Sequence, residues 1–135
     1  MKYKFLKHTA DVKYRAYGVT LNEMFENSAA AMFKSMYPGR VEEKIKMNFS
    51  VRGKDLESLL YCFLEKLIVL LDSKDFFVSR VKIKIDKKNL KLVGEAFGDK
   101  AGNYDIGMDV KAVTYSEMFV KQIGGKWVCQ IVLDV

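Results

Sequence analysis

The sequence is poor in the residues from which many binding sites are built: its 135 residues include one histidine, one proline, one tryptophan and two cysteines. A zinc site usually takes four Cys or His ligands, and no Cys-x-x-Cys pair is present, so we expect no zinc site. Cys62 and Cys129 both lie in apolar stretches. We therefore expect two buried thiols rather than a disulfide.

Long apolar runs are also missing. The best candidate, residues 56–71, is interrupted by Glu57, Glu65 and Lys66, whereas a membrane span needs about 20 apolar residues. The first five residues lack the apolar stretch of a signal peptide. We therefore expect a soluble cytoplasmic protein without a membrane partner, folded as a single domain over residues 1–135.

The common catalytic and nucleotide-binding motifs are absent as well. The sequence contains no G-x-x-x-x-G-K-[ST] loop, no G-x-G-x-x-G and no G-x-S-x-G elbow. His8 is the only histidine that could serve as a general base. Without a recognisable pair of nucleophile and base, the sequence does not favour an enzyme.

The formal charge of +6 is unevenly distributed along the chain. Residues 1–54 contain 11 basic and 5 acidic residues, whereas residues 55–135 contain 12 of each. Two interpretations remain open: the basic half is a solvated surface, or it meets an anionic partner such as RNA or an acidic protein face.

Apolar periodicity predicts an α+β fold, with two helices packed on a largely antiparallel sheet. The first helix begins at the capping box of residues 20–23 and ends before the turn at Pro38, and the second runs from its cap Asp55 to Leu71. Residues 98–102 read as an irregular loop, and Gly124-Gly125 as a hairpin turn. Alternation predicts strands at 3–8, 12–17, 46–52, 77–85, 90–97, 109–115, 119–123 and 127–133.

The two ends of the sequence carry its most distinctive polar residues. His8-Thr9-Ala10-Asp11 follows the first predicted strand, and the last strand ends in Asp134-Val135. There the Asp134 side chain adjoins the α-carboxylate of Val135, and Asp11 adds a third donor if the two strands pair. Because Ca²⁺ and Mg²⁺ prefer such oxygen clusters, we predict a metal site formed by Asp11, Asp134 and Val135.

Each of these residues also has a structural interpretation. His8 could be a hydrogen-bonded residue at a strand end, Asp11 an Asx-turn residue, and Asp134 an exposed strand end. Lys111 could form a surface ion pair with Asp109. Taken together, however, a lysine beside several carboxylates could offset their charge or donate to a phosphate.

Several segments resemble one known family, archease, in order and across essentially the whole chain. The most distinctive of them are the opening His-Thr-Ala-Asp motif, an internal motif that ends in Thr-Tyr, and the Leu-Asp-Val end. The matching segments are residues 5–12 with 15–18, 29–33, 53–60, 110–115 and 132–135.

The resemblance implies an α+β accessory protein of the tRNA-splicing RNA ligase, and not an enzyme in its own right. Such a protein promotes guanylylation of the ligase and restores multiple turnover, and it can broaden the use of nucleoside triphosphates. GTP and tRNA halves would then be met only through the ligase. The resemblance also implies a divalent cation, Ca²⁺ in the first place, with Mg²⁺ or Mn²⁺ as alternatives.

By matching position, the resemblance implies that Asp11, Asp134 and Val135 are metal ligands. Lys111 becomes a candidate for acting on the ligase or its nucleotide, and His8 is a further functional candidate. Ser116 stands where the family commonly has histidine, and residues 98–107 also diverge. The alternative function is a chaperone-like or RNA-binding adaptor that uses the basic first half.

Overall fold

The computed structural model describes residues 1–8 and 10–135; Thr9, within the opening motif, lies outside the described residues. The described residues form two α-helices, seven strands and one 3₁₀ turn. In chain order they are β1 (Tyr3–Leu6), β2 (Val12–Gly18), α1 (Leu21–Met36), β3 (Ile45–Arg52), α2 (Leu56–Lys74), β4 (Phe76–Asp86), β5 (Lys91–Lys100), the 3₁₀ turn (Ala101–Asn103), β6 (Ala112–Ile123) and β7 (Lys126–Asp134).

The strands form two antiparallel sheets, a four-stranded sheet in the order β1-β2-β7-β6 and a three-stranded sheet in the order β3-β5-β4. Both helices contact strands of both sheets, so the helices lie between them. The predicted α+β class is confirmed. The strands divide between two sheets where the sequence suggested one, because the β4–β5 hairpin pairs with β3 and the β6–β7 hairpin pairs with β2.

Both helices begin at the predicted caps. The hydroxyl of Thr20 accepts the Glu23 N–H at 3.1 Å, but the Glu23 carboxylate accepts the N–H of Val19 and not that of the cap itself. In α2 the exchange is fully reciprocal: Asp55 accepts from the Ser58 N–H at 2.7 Å, and the Ser58 hydroxyl accepts the Asp55 N–H at 3.1 Å.

The second helix supplies the centre of the core. Its apolar side chains at successive helical turns are completely buried, and the helix continues three residues beyond Leu71 before it ends at Asp75 in the left-handed conformation. The fully buried side chains are those of Leu59, Leu60, Phe63, Leu64 and Leu67.

Two predicted boundaries in the second half are wrong. Residues 98–100 continue β5, because Gly98 pairs with Val78 and Lys100 pairs with Phe76. The two strands predicted at 109–115 and 119–123 are one strand, β6, whose pairing with β7 is irregular between Thr114 and Phe119. An apolar pattern broken by an irregularity of this kind reads as two strands.

The pairing of the terminal strand with β2 is confirmed, in a register that runs from Val12 opposite Leu133 to Gly18 opposite Trp127. Both cysteines are free thiols; Cys129 is fully buried, as predicted, whereas the prediction of burial is wrong for Cys62, which is half-buried on α2. No helix within residues 1–8 and 10–135 is long and apolar enough to cross a bilayer.

The closest backbone approach in the core predicts a sharp mutational effect at Gly98. A Cβ atom there would overlap the carbonyl group of Phe77 on β4, so the two strands must separate to admit it. We expect Gly98→Ala to lower the free energy of unfolding by about 2–3 kcal/mol, measured by urea denaturation.

Gly102→Ala is the matched control, because the nearest atom to its Cβ is Asp75 Oδ2 at 3.7 Å, an ordinary contact. Equal stability of the two variants would contradict the proposed close packing of β4 and β5 at Gly98.

Candidate functional site

The register of the four-stranded sheet brings the two acidic ends of the sequence together. Val12 is opposite Leu133, and Asp11 and Asp134 each adjoin this pair, Asp11 in the bend before β2 and Asp134 as the last residue of β7. On the other side of β7, Asp134 pairs with Ala112, and the Lys111 N–H donates to the Asp134 carbonyl oxygen at 2.8 Å. Asp134 therefore lies near the start of β2 on one side and is bonded to Lys111 on the other.

Strand alternation places this site on the outer face of the sheet. Leu133 is fully buried in the core, whereas the next residue, Asp134, is exposed. Successive side chains of a strand point to opposite faces, so Asp134 belongs to the face that points away from the helices. Asp11 and Val135 are half-buried.

His8 lies just beyond β1 and makes two contacts with carboxylates. Its Nε2 is 3.1 Å from Glu117 Oε2, and its Nδ1 is 3.5 Å from Asp11 Oδ2. The Nδ1 atom is buried and makes no hydrogen bond with any described residue. The fold thus places His8 beside Asp11. The contact between His8 and Glu117 is also the kind of hydrogen bond that the structural interpretation of His8 expects.

Glu117 is the principal site residue that sequence reasoning missed. It lies in the irregular part of β6 with φ = 54°, a left-handed conformation that is uncommon outside glycine. Its carboxylate accepts a hydrogen bond from Lys13 Nζ at 3.0 Å and contacts His8, while its backbone carbonyl accepts from Gln130 Nε2 at 2.7 Å. The gap between the two predicted strands was the only signal in the sequence.

The surroundings of Glu117 favour its charged form. The hydrogen bond from Lys13 and the contact with His8 together hold the pKa of Glu117 below its ordinary value. Glu117 on β6 thus contacts both Lys13 on β2 and His8 just after β1. His8 in turn lies beside Asp11. We call Glu117, Lys13 and His8 the Glu117 network.

Lys111 is exposed and directly precedes β6. Among the described residues it forms no ion pair, so the surface pair with Asp109 that the sequence left open is not formed. Its backbone is fixed at the site through Asp134, and its side chain is not neutralised by a carboxylate of the described chain.

The donors at this site suit a hard cation in their chemistry. Across the part of the chain that the structure describes, no group of three or more His, Cys, Asp or Glu side chains is arranged to hold a metal. The predicted set differs from such a group because it combines two carboxylate side chains with the α-carboxylate of Val135. Oxygen ligands of this kind fit Ca²⁺ or Mg²⁺. The Nδ1 atom of His8, which makes no hydrogen bond among the described residues and lies 3.5 Å from Asp11 Oδ2, is a further candidate metal ligand.

Comparisons with known proteins identify one family, and the matches extend over nearly the whole chain. Residues 3–135 match the profile of the archease protein family (MTH1598/TM1083). The archease of Sulfurisphaera tokodaii is 41% identical over 99% of both chains. The solution structure of Methanobacterium thermoautotrophicum protein 1598 superposes with a TM-score of 0.85 at 33% identity, covering 99% of both chains. The crystal structure of an archease from Thermotoga maritima, described as a possible chaperone, has the same fold, with a TM-score of 0.68 at 19% identity. The superposition covers 98% of this chain and 96% of the Thermotoga chain.

The Glu117 network predicts a measurable coupling between β2 and β6. Replacing Lys13 by Met removes the largest influence that lowers the pKa of Glu117, so we expect that pKa to rise toward its ordinary value. A lowered carboxyl pKa stabilises the fold above the unfolded-state pKa, and this contribution is lost as pH falls through the folded-state pKa. The Lys13→Met variant should therefore be less stable than the parent at pH 7 and should lose this deficit in acid.

Carbon-detected NMR titration of the Glu117 carboxyl group measures the shift directly. Lys121→Met removes another lysine from the same sheet, one that lies over the Phe119 ring, and should leave the Glu117 titration unchanged. A Glu117 titration curve that is identical in the parent and in Lys13→Met would contradict the network.

Proposed function

We propose, because the chain belongs to the archease family, that it is an accessory protein that activates the tRNA-splicing RNA ligase. In this proposal it promotes guanylylation of the ligase with GTP and so supports repeated joining of tRNA halves. The observation that supports the proposal is the pairing of Val12 with Leu133, which brings Asp11 and Asp134 near each other, together with the bond from the Lys111 N–H to the Asp134 carbonyl oxygen. This arrangement gathers three residues from distant parts of the sequence at one end of the four-stranded sheet.

The proposed metal ligands are the carboxylates of Asp11 and Asp134 and the α-carboxylate of Val135. Their oxygen chemistry favours Ca²⁺, with Mg²⁺ or Mn²⁺ as alternatives. A cation held there would supply positive charge that neutralises phosphate oxygens and orients them during transfer of a nucleotidyl group. The chain's own contribution is to hold the carboxylates on adjacent strands, at an edge that a partner protein can reach.

Lys111 and His8 have separate roles in this proposal. The exposed Lys111 ammonium, free of ion pairs within the described residues, donates hydrogen bonds to a phosphate or to an acidic group of the ligase. His8 is held by Glu117 at 3.1 Å, and its other ring nitrogen lies 3.5 Å from Asp11 Oδ2 without a hydrogen bond. We therefore treat His8 as a residue that lines the site beside Asp11.

A chaperone-like function is the second candidate, and the surface of the protein favours it less. A chaperone needs a contiguous apolar patch to hold unfolded chains. The large apolar side chains that are well exposed come from several different elements, and include Phe5 on β1, Val69 on α2, Val93 on β5 and Ile123 on β6.

The metal-site proposal predicts that both acidic residues are needed for cation binding. We expect Asp11→Asn and Asp134→Asn each to weaken Ca²⁺ or Mn²⁺ binding by at least about tenfold, because each removes a charged oxygen ligand. Isothermal titration calorimetry measures the change. Asp105→Asn, which alters an exposed carboxylate before β6, is the control. Equal affinity in the parent and both site variants would refute the proposed ligands.

The activation proposal predicts that a substoichiometric amount of this protein raises ligated product above one turnover per ligase molecule. Asp11→Asn, Lys111→Ala and a Gly-Ser extension after Val135 should each lose most of the stimulation, whereas Asp105→Asn should keep it. Full stimulation by a variant that binds no metal would refute the metal role while leaving activation intact. No stimulation of a cognate ligase by the parent protein would refute activation itself.

A further inference from the structure

The outer face of the three-stranded sheet is strongly basic. The pairing register places alternate residues of β3, β5 and β4 on this face, and six of them are basic while two are acidic. The opposite face carries the apolar residues, such as Phe49, Ile83 and Leu92, which pack against the helices. The basic residues are Lys46, Arg52, Arg80, Lys82, Lys84 and Lys91; the acidic ones are Asp86 and Glu95.

Much of this positive charge is not neutralised within the protein. Lys46 pairs with Glu95 at 3.2 Å, and Arg80 pairs with Glu43 at 2.9 Å. Lys82 and Lys84 are exposed, and neither forms an ion pair with any described residue. The face therefore keeps an excess of positive charge that is available to an external anion.

Three basic residues, of which Lys82 and Lys84 have no ion pair among the described residues, form a row along one strand. Arg80, Lys82 and Lys84 are alternate residues of β4, so all three point to the outer face. Residues two apart on a strand are about 6.6 Å from each other. This separation is comparable with the distance between successive phosphates of an extended nucleic-acid strand, so a row of lysines can follow such a backbone.

Beside this row lies a planar surface suited to a nucleobase. The Arg80 guanidinium stacks over the Phe97 ring, with its central carbon 4.1 Å from the ring centroid. The Nε–H of Arg80 donates to both carboxylate oxygens of Glu43, at 3.0 and 2.9 Å, and this contact holds the guanidinium in place. Single-stranded bases stack on aromatic rings and on Arg guanidinium planes, and the outer side of a guanidinium fixed in this way is such a plane.

The same face contains a shallow depression and polar groups that can read a nucleotide. A cavity of about 710 Å³ is lined by residues of all three strands, with Asn48 and Ser50 at one side and Lys82 and Lys84 at the other. Val93, 44% exposed, forms its apolar floor. An amide and a hydroxyl group are able to hydrogen-bond to base edges or to the 2′-hydroxyl that distinguishes RNA.

From these observations we propose that the outer face of the three-stranded sheet binds single-stranded RNA directly. The phosphates lie along Lys82 and Lys84, and a base stacks on the Arg80–Phe97 pair. An acidic protein segment would satisfy the charges, but it would leave the stacked guanidinium plane without a partner, so the face favours RNA. The helices separate this face from the proposed metal site at Asp11 and Asp134, so the inference does not depend on the proposed ligase activation.

Fluorescence anisotropy with a labelled 12-nucleotide uridine oligomer tests this directly, with the full chain at several salt concentrations. We expect Lys82→Glu/Lys84→Glu to weaken binding at least about tenfold and to reduce the slope of log K against log salt by about 1.4, or 0.7 for each lost phosphate contact. The matched control is Lys121→Glu/Lys126→Glu, which changes the net charge equally at exposed positions of the β6–β7 hairpin and should change affinity less than twofold.

Two further variants and one competitor separate the alternatives. Arg80→Lys keeps the charge but removes the stacked plane, and should weaken binding of the oligomer about threefold or more. Equal losses in both double variants would show attraction by net charge alone and would overturn the proposal. Competition by a poly-glutamate peptide as effective as competition by unlabelled RNA would show an acidic-protein surface instead. Undiminished binding by Arg80→Lys would show that no base stacks on the Arg80–Phe97 pair and would overturn the proposal.

Discussion

The antiparallel pairing of β2 with β7 is the interaction on which the rest of the structure depends. It joins the second element of the described chain, β2, to the last, β7, over a register of seven residue pairs. The same pairing places β7 between β2 and β6 and so completes the four-stranded sheet. Without it, the buried side chains of Cys129, Ile131 and Leu133 would lose their cover, and Asp134 would have no fixed position relative to Asp11.

Placing the helices between two sheets gives the protein two outer faces with different chemistry. The outer face of the four-stranded sheet carries the Glu117 network, and Asp11 and Asp134 lie near the end of this sheet. The outer face of the three-stranded sheet is a basic surface with few internal ion pairs. The sequence showed the charge as an excess in residues 1–54. In the fold, Lys13 and Arg15 of that segment lie on one sheet, and Lys46 and Arg52 lie on the other beside basic residues of the second half.

Local signals in the sequence predict most of the fold. The caps at Thr20 and Asp55, the apolar stripe of α2 and the alternation of β2 and β7 each depend on neighbouring residues, and each is found where expected. The division into two sheets was not predictable in this way, because strand alternation does not reveal which strand is the partner.

The candidate site was predictable only where it depends on local sequence signals. That Asp11 lies near Asp134 follows from the pairing of two alternating strands, and the nearby Lys111 and His8 belong to motifs that stand out in the sequence. Glu117 depends on an irregular pairing and a positive φ of a non-glycine residue, neither of which has a sequence pattern. Its partner Lys13 read only as one of many scattered lysines.

The register of β2 and β7 also determines when the site can exist during synthesis. β7 leaves the ribosome after every other element of the described chain, yet it is a central strand of its sheet. Contacts between residues so far apart in sequence form late, because the intervening chain must first be ordered. Until β7 is available, one edge of β2 has no partner strand, so Asp134 comes to lie near Asp11 only after the rest of the described chain has been synthesised.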